Sequence, residues 1–486
     1  MRALVIDIGT SGLRAAVVNN DASVTDLHHE EFAPQSPAGG LVEFDASAMY
    51  DAVLRVSNAA MNDRPVDCVG ITNQRASAIG WRRSTGMPIG PSIGWQDLRT
   101  VGECMMARAE HGLALAPNQS ATKFAWLLTH HVADPAARAD DDILFGTVET
   151  WITWRLSRGA AHVTDRTNAA VTGLTTASGT EWNPSTVSVL GLHLHQLPTI
   201  VPTMGRCADA VDLPGAPPIT ALVGDQQASM VGQGCISPGR AKITFGTGGM
   251  LDLYTGTTPP VHGNRSGNGT FPIVAHSDAH TTHYGVEAVM LSAGTNIEWL
   301  RDDMGLIASA ADTDAIAASV PDAGGVVYVP ALLGLGTPHW DYGARGTMLG
   351  ITRGTTRSHV VRAVLEGVAH RGVDLIEAAE RDSGLDIGTV SIDGGMSRNS
   401  TFVQALADAA GRPVTVSPVT EATTLGAGLL AAVAAGHWGG LHDACATVAG
   451  HRTVEPLGEP GIPRSEWAQA VSRARSWIPG LSALDF

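Results

Sequence analysis

Short apolar runs that stop abruptly on glycine or aspartate set the rhythm of this chain. Ala3 to Ile6 is such a run, closed by Asp7-Ile8-Gly9-Thr10-Ser11-Gly12, and Arg14 to Val18 resumes the apolar stretch. This pattern predicts strand, glycine turn, strand. Further strands are predicted at Cys68 to Ile71, at Ala221 to Val223 ending on Gly224-Asp225-Gln226-Gln227, and at Val390 to Ile392 ending on Asp393-Gly394-Gly395. Helical spacing appears around Trp126 to His130, over His359 to Ala379, from Ser400 to Ala410, over the small residues Thr424 to Ala435, and from Ser465 to Trp477. Strands alternating with helices make this an α/β protein.

The opening phrase recurs. Ile243-Thr244-Phe245 leads into Gly246-Thr247-Gly248-Gly249 and then Met250 to Tyr254, about 240 residues after the first copy. A repeat at half the chain length points to duplicated domains, since solenoid periods run to only about 20–50 residues. The expected division is 1–242 and 243–486, two related domains with a cleft between them.

Composition narrows the function. At 486 residues, with 44% apolar and 16% charged residues, the chain has ample core for two or more domains. A net charge of -16 and the lack of any basic run argue against nucleic acid as a partner. Lys123 and Lys242 are the only lysines, so arginine carries nearly all positive charge. The five cysteines are scattered and never form a Cys-x-x-Cys pair, which fits reduced thiols rather than a disulfide or zinc framework. With neither a signal-peptide layout nor an apolar stretch of about 20 residues, a cytoplasmic protein without a membrane partner is expected.

Phosphate binding needs backbone N–H groups converging on one point, and glycine permits that approach. Either turn alone reads as an ordinary hairpin; two in the same frame, each with hydroxyls, suggest a clasp around phosphate. Neither is a P-loop or a dinucleotide fingerprint. Asp7, at a strand end beside the first turn, suits Mg²⁺ or its water, or a plain turn cap. Asp225, also ending a strand, suits a base that takes the proton of an attacking hydroxyl, or again a cap. His276, His280 and His283, like His193 and His195, lack partner cysteines and are expected to be surface residues. Trp340 is expected to serve packing.

At these residues the chain resembles the FGGY carbohydrate kinases. The matching segments are Ile71-Thr72-Asn73-Gln74-Arg75, Trp95-Gln96-Asp97-Leu98-Arg99, Gly224-Asp225-Gln226-Gln227 and Gly246-Thr247-Gly248. They continue through Thr337-Pro338-His339-Trp340-Asp341, Leu365-Glu366-Gly367, Asp393-Gly394-Gly395 and Thr420-Glu421-Ala422-Thr423-Thr424-Leu425-Gly426. The resemblance implies an actin-like, ribonuclease-H-like fold in two domains, with ATP and Mg²⁺ as cofactors and a small polyol or sugar as substrate; a homodimer is an assembly the family allows. It implies Asp225 as catalytic base, Asp7 near the metal, and Thr10, Ser11 and Arg14 at the β- and γ-phosphates. Gly246 and Thr247 would approach phosphate from the second domain. Gly294, Glu298, Gly395 and Asn399 would lie along the nucleotide, and Arg75, Gln226 and Trp95 beside the substrate.

Three positions depart from the polyol pocket of the family's glycerol-specific members. Ala76 stands where they carry a glutamate, Asn118 where they carry a tyrosine, and Met250 where they carry a phenylalanine. Loss of a charged acceptor, worth about 1.5–3 kcal/mol, and of two aromatic walls points to a larger substrate than glycerol, a polyol or ketose of four or five carbons. The segment Asp212 to Pro218 is short and lacks arginine, so no regulation by a sugar bisphosphate is expected there. Glycerol phosphorylation, a degenerate sugar sensor and an actin- or Hsp70-like ATPase are the competing readings; the substrate-side segments favour the kinase.

Overall fold

The computed structural model describes residues 1–260, 264–419 and 421–484. Thr420 of the matched segment lies outside them. Among the described residues one sheet has six strands and another seven. The first comprises β1 (Arg2–Ile8), β2 (Gly12–Asn19), β3 (Val24–Glu31), β4 (Cys68–Asn73), β5 (Met204–Asp209) and β6 (Pro218–Gly224), in the order β5-β6-β4-β1-β2-β3. The second comprises β7 (Ala241–Phe245), β8 (Gly249–Gly256), β9 (Phe271–Ser277), β10 (Thr282–Met290), β11 (Val390–Asp393), β12 (Val414–Val416) and β13 (Arg452–Val454), in the order β9-β10-β8-β7-β11-β12-β13.

The two sheets share one plan. An antiparallel meander (β1, β2, β3; then β7, β8, β10) is extended by two parallel strands (β4, β6; then β11, β12) and an antiparallel edge (β5; then β13). The repeated glycine phrase is the first hairpin turn of each copy. The parallel strands β4 and β6 are buried along nearly their whole length, as a sheet covered on both faces requires.

Helices pack on both sheets and beside them: α1 (Ala46–Met61), α2 (Ala121–His131), α3 (Asp225–Gly232), the single turn α4 (Thr295–Glu298), α5 (Arg357–Ser383), α6 (Ser400–Ala410), α7 (Ala422–Ala434) and α8 (Arg464–Ala474), of which α2 and α8 sit in smaller cores apart from the two sheets. α1 is capped by Asp45, whose carboxylate accepts from the N–H groups of Ser47 and Ala48, and it packs on one face of the first sheet. α7 lies on the other face: Leu425, Leu429 and Leu430 share a core with Ala3, Val5 and Val18 of the first sheet and with Ala228 and Val231 of α3. Thus a helix of the second half completes the core of the first. α7 and α3 approach backbone to backbone, because a Cβ on Gly426 would stand 1.8 Å from the Ala228 carbonyl and one on Gly232 2.0 Å from that of Ala422.

Two expectations need correction. The terminal helix stops at Ala474, short of Trp477, which is 73% exposed. Asp341 accepts the Ser476 N–H (2.8 Å) and the Ser482 hydroxyl (2.6 Å), drawing the chain off the helical path. Of the five histidines assigned to the surface, His195 and His280 are exposed and His193 and His283 half-buried; His276 is buried, stacked on His283 with ring centroids 4.2 Å apart. It lies on an inward register of β9. Trp340 does pack, edge-on against Phe271.

Buried imidazoles make folding sensitive to acid. Burial pushes His276 down to about 3 and His370, stacked on Trp467, down to about 4. Because the folded values lie below the unfolded value of about 6.5, this stability is complete above about pH 6.5 and is lost as pH falls toward the folded pKa, costing about 2 kcal/mol per histidine at pH 5. Changing His370→Gln removes one such penalty. The urea-measured stability gap between variant and wild type is expected to move by about 2 kcal/mol in the variant's favour from about pH 7.5 to about pH 5. A gap independent of pH would show that His370 titrates in the fold as it does in the unfolded chain, with burial shifting nothing.

Candidate active site

Three strand ends of the first sheet converge on one place. β1 ends beside Asp7, β4 runs out into Gln74-Arg75-Ala76, and β6 ends at Gly224, after which Asp225 opens α3. Parallel pairing fixes the register, with Asp7 opposite Thr72, and Val223 opposite Thr72 on the other side. In open α/β sheets, ligands sit off such carboxyl ends.

Asp7 is buried, with Arg14 Nε at 3.6 Å and the Thr424 hydroxyl of α7 donating at 3.3 Å. Burial pushes its pKa up to about 6; Arg14 opposes this, while Asp225 and Glu421 add to it. Arg14, expected at phosphate, is held between Asp7 and Glu421. Thr10 accepts from Trp95 Nε1 at 3.1 Å, joining the first glycine turn to the Trp-Gln-Asp segment, and Ser11 is exposed beside it. That segment is pinned from behind by Lys123, which is fully buried and donates to the carbonyls of Gly94 (2.8 Å) and Trp95 (3.0 Å). Burial lowers the Lys123 pKa to about 7, with Asp97 opposing.

Asp225 keeps 29% of its side chain exposed, accepts the Gln226 N–H at 2.8 Å, and lies 3.5 Å from Arg75 Nε. Desolvation raises its pKa, opposed by Arg75, the Gln226 N–H and Lys242. Arg75 also donates to Glu287 of β10 at 2.6 Å, so a pair bridges the two halves. Ala76 is buried in left-handed backbone with φ +60. Met250 is half-buried on β8, two residues before Asp252 and so on the same sheet face. Asn118 is exposed on the segment before α2, and among the described residues no hydrogen bond ties it to the others.

In the second half, Gly246 and Thr247 are tied to the start of α4. The N–H groups of Gly294 and Ala293 donate to their carbonyls at 2.8 and 2.9 Å, and Thr247 is exposed. A Cβ on Gly294 would stand 2.6 Å from the Gly246 carbonyl, so only glycine fits there. Glu298 ends α4, exposed. A Cβ on Gly395 would meet nothing within 4 Å, leaving that edge open to a ligand, whereas Gly394 lies against the Phe245 backbone with φ +86. Asn399 caps α6 through the Phe402 N–H and donates to Thr313 (2.9 Å), so both ends of its amide are occupied.

The chain matches family models along most of its length: the N-terminal domain of the FGGY family of carbohydrate kinases over residues 2–232 and the C-terminal domain over residues 241–435. This chain is an FGGY carbohydrate kinase. It is 38% identical to a glycerol kinase of Aromatoleum aromaticum over 98% of this chain and 99% of that protein. Its fold superposes with TM-score 0.90 on a glycerol kinase of Plasmodium falciparum solved with ADP, at 27% identity over 97% of this chain and 98% of the other. It also resembles a ligand-bound xylulose kinase of Lactobacillus acidophilus (TM-score 0.83, 19% identity, 98% and 97% covered), which shows the shared fold alone. The kinase is ATP-dependent, as its family is.

Several polar residues of the kinase site were given no role from sequence: Glu287 and Asp252, which were not singled out at all, and Lys242, Glu421 and Thr424, which were noted without one. Lys242 is fully buried on β7 and donates to Gln226 Oε1 (2.6 Å) and Thr244 Oγ1 (2.9 Å), with Asp252 Oδ2 at 2.8 Å. Burial raises the Glu287 carboxyl, Arg75 opposing and Asp252 adding to the rise. The signal was available, because Lys242 and Asp252 are charges inside otherwise apolar strands.

Proposed function

We propose that this kinase transfers the γ-phosphoryl group of ATP to a hydroxyl of a four- or five-carbon polyol or ketose, with Asp225 as general base. The observation that supports this most is Asp225 itself: a carboxylate at the first position of α3, partly open, 3.5 Å from Arg75 and near enough to Asp7 to raise its pKa. The reacting hydroxyl would give its proton to Asp225 as the oxygen attacks phosphorus, and Arg75 and Gln226 would hold neighbouring oxygens. Thr10, Ser11, Gly246 and Thr247 would line the phosphates, and Gly294, Glu298, Gly395 and Asn399 the nucleoside end.

Asp7 fits Mg²⁺. It is a hard oxygen donor, buried, and drawn upward in pKa, and Mg²⁺ is commonly held by one or two carboxylates plus phosphate oxygens and water. Bound there, the ion would neutralise charge on the phosphates. The absence of groups of three or more metal-ligating side chains among the described residues is compatible with this mode.

Ala76 and Met250 support a pocket wider than glycerol needs, while the full-length likeness to glycerol kinases favours glycerol as the second reading. We place the division between the halves in the stretch 233–240, because a cut after residue 242 would split β7. An ADP-release assay with Mg-ATP across glycerol, tetritols, pentitols and ketopentoses separates the two readings. Turnover is expected on a four- or five-carbon compound; efficient turnover on glycerol alone would overturn the wider pocket.

A further inference from the structure

In a chain whose positive charge is otherwise carried by arginine, both lysines are fully buried, and both stand behind the site. Lys242 has the tighter setting. An ammonium has three donors and no acceptor. Here it faces three oxygens, on Gln226, Thr244 and Asp252, at 2.6, 2.9 and 2.8 Å. Antiparallel register places Lys242 opposite Asp252, and Asp252 opposite Glu287, so the three charged side chains form a row across β7, β8 and β10. Met250, opposite Thr244, extends the same face. From this row Lys242 reaches Gln226, and Glu287 reaches Arg75.

The consequence for Gln226 is chemical. Because Lys242 can only donate, the amide oxygen is committed to it, and the amide orientation is fixed rather than free to flip. Nε2, which has no protein partner among the described residues, is left as the end that meets a ligand. Arg75 offers only donors as well, and its Nη1 is buried without a partner. Ala76 contributes no acceptor. Resting on the reading that Arg75, Gln226 and Asp225 form the substrate site, we propose that Lys242 is a specificity-determining positioning residue: by holding the Gln226 carbonyl it makes the wall of Gln226 and Arg75 donor-only, and so selects substrates that present a hydrogen-free acceptor oxygen, a carbonyl, beside the reacting hydroxyl. A hydroxyl at that place would accept from the wall but would leave its own hydrogen without a partner, and an unpaired polar group in a closed site costs affinity.

The test compares a ketopentose with the pentitol made by reducing it, ribulose with ribitol and xylulose with xylitol, which differ only at that oxygen. KM and kcat are measured for wild type, Lys242→Met and Gln226→Glu, and affinities for the same probes are measured by calorimetry in Asp225→Asn, where binding is read apart from turnover. Wild type is expected to favour the ketopentose in KM by about tenfold or more. Lys242→Met is expected to raise the ketopentose KM about tenfold and the pentitol KM less than about threefold, whatever change in kcat the two substrates share, so that the KM preference within the variant collapses. In Gln226→Glu the lysine stays satisfied, the fold keeps its buried pair, and one carboxylate oxygen turns the wall into an acceptor; preference is expected to reverse toward the pentitol. This variant carries the test if Lys242→Met melts early.

No ketopentose preference in wild type, a Lys242→Met effect confined to kcat, or equal losses for both members of a pair would overturn the proposal, as would no binding of either member. Retained turnover in Asp225→Asn, with the KM preference and its loss in Lys242→Met intact, would sink the base assignment and leave the role of Lys242 standing.

Discussion

Asp225→Asn is expected to lower kcat by about 10²–10⁴-fold, the span general-base removal usually covers, without loss of thermal stability. Asparagine keeps the shape and can still accept the Gln226 N–H that Asp225 accepts at 2.8 Å. It cannot take a proton from an attacking hydroxyl. The aspartate carboxylate is partly desolvated and repelled by Asp252, so its neutral replacement relieves a cost in the resting protein. Arg75 is not orphaned, because it retains Glu287 at 2.6 Å. Steady-state kinetics on the substrate found by the panel, with a melting curve for each protein, give both readouts. A variant keeping more than about a tenth of kcat would point to a base elsewhere.

Gly426→Ala is expected to cost about 3 kcal/mol or more, at the top of the usual range for overpacking, and to lower kcat as well. The added Cβ would stand 1.8 Å from the Ala228 carbonyl and 2.7 Å from the Gly232 nitrogen. Both are backbone atoms of α3, so no rotamer change relieves the clash, and the helices must separate. α3 begins with Asp225, so separation also displaces the proposed base. Gly428→Ala is the control on the same helix: its Cβ would meet the Val18 side chain at 2.3 Å, a smaller obstruction than a helix backbone. Urea unfolding should show a clearly lower midpoint for Gly426→Ala than for Gly428→Ala. Equal midpoints would mean that the α3–α7 contact is softer than its geometry implies.

The strands were legible because each apolar run is cut by glycine or aspartate where the chain turns, and the two hairpins repeat one phrase. Helix ends were less so. α5 runs from Arg357 to Ser383, beyond the His359 to Ala379 expected, since its solvated ends carry no apolar spacing. Asp225 and the glycine turns stood out by their place at strand ends, and Arg75 through the family resemblance. Glu287, Asp252 and Lys242 did not: charges that interrupt apolar strands are visible in sequence, but which residues they face is set by register across neighbouring strands. His276 was misjudged for the same reason. Contacts such as Asp7 with Thr424 join residues 417 positions apart, beyond any local pattern.

The position of α7 bears on how this chain can be recombined. Ala422–Ala434 falls within the region matching the C-terminal family domain, yet its leucines fill the core of the first sheet. A hybrid that joins residues 1–240 of this kinase to the second half of a relative therefore imports a foreign helix into its own core. Exchange partners for the second half should keep this chain's α7 grafted in place, so that Gly426 and Gly428 still meet Ala228 and Val18.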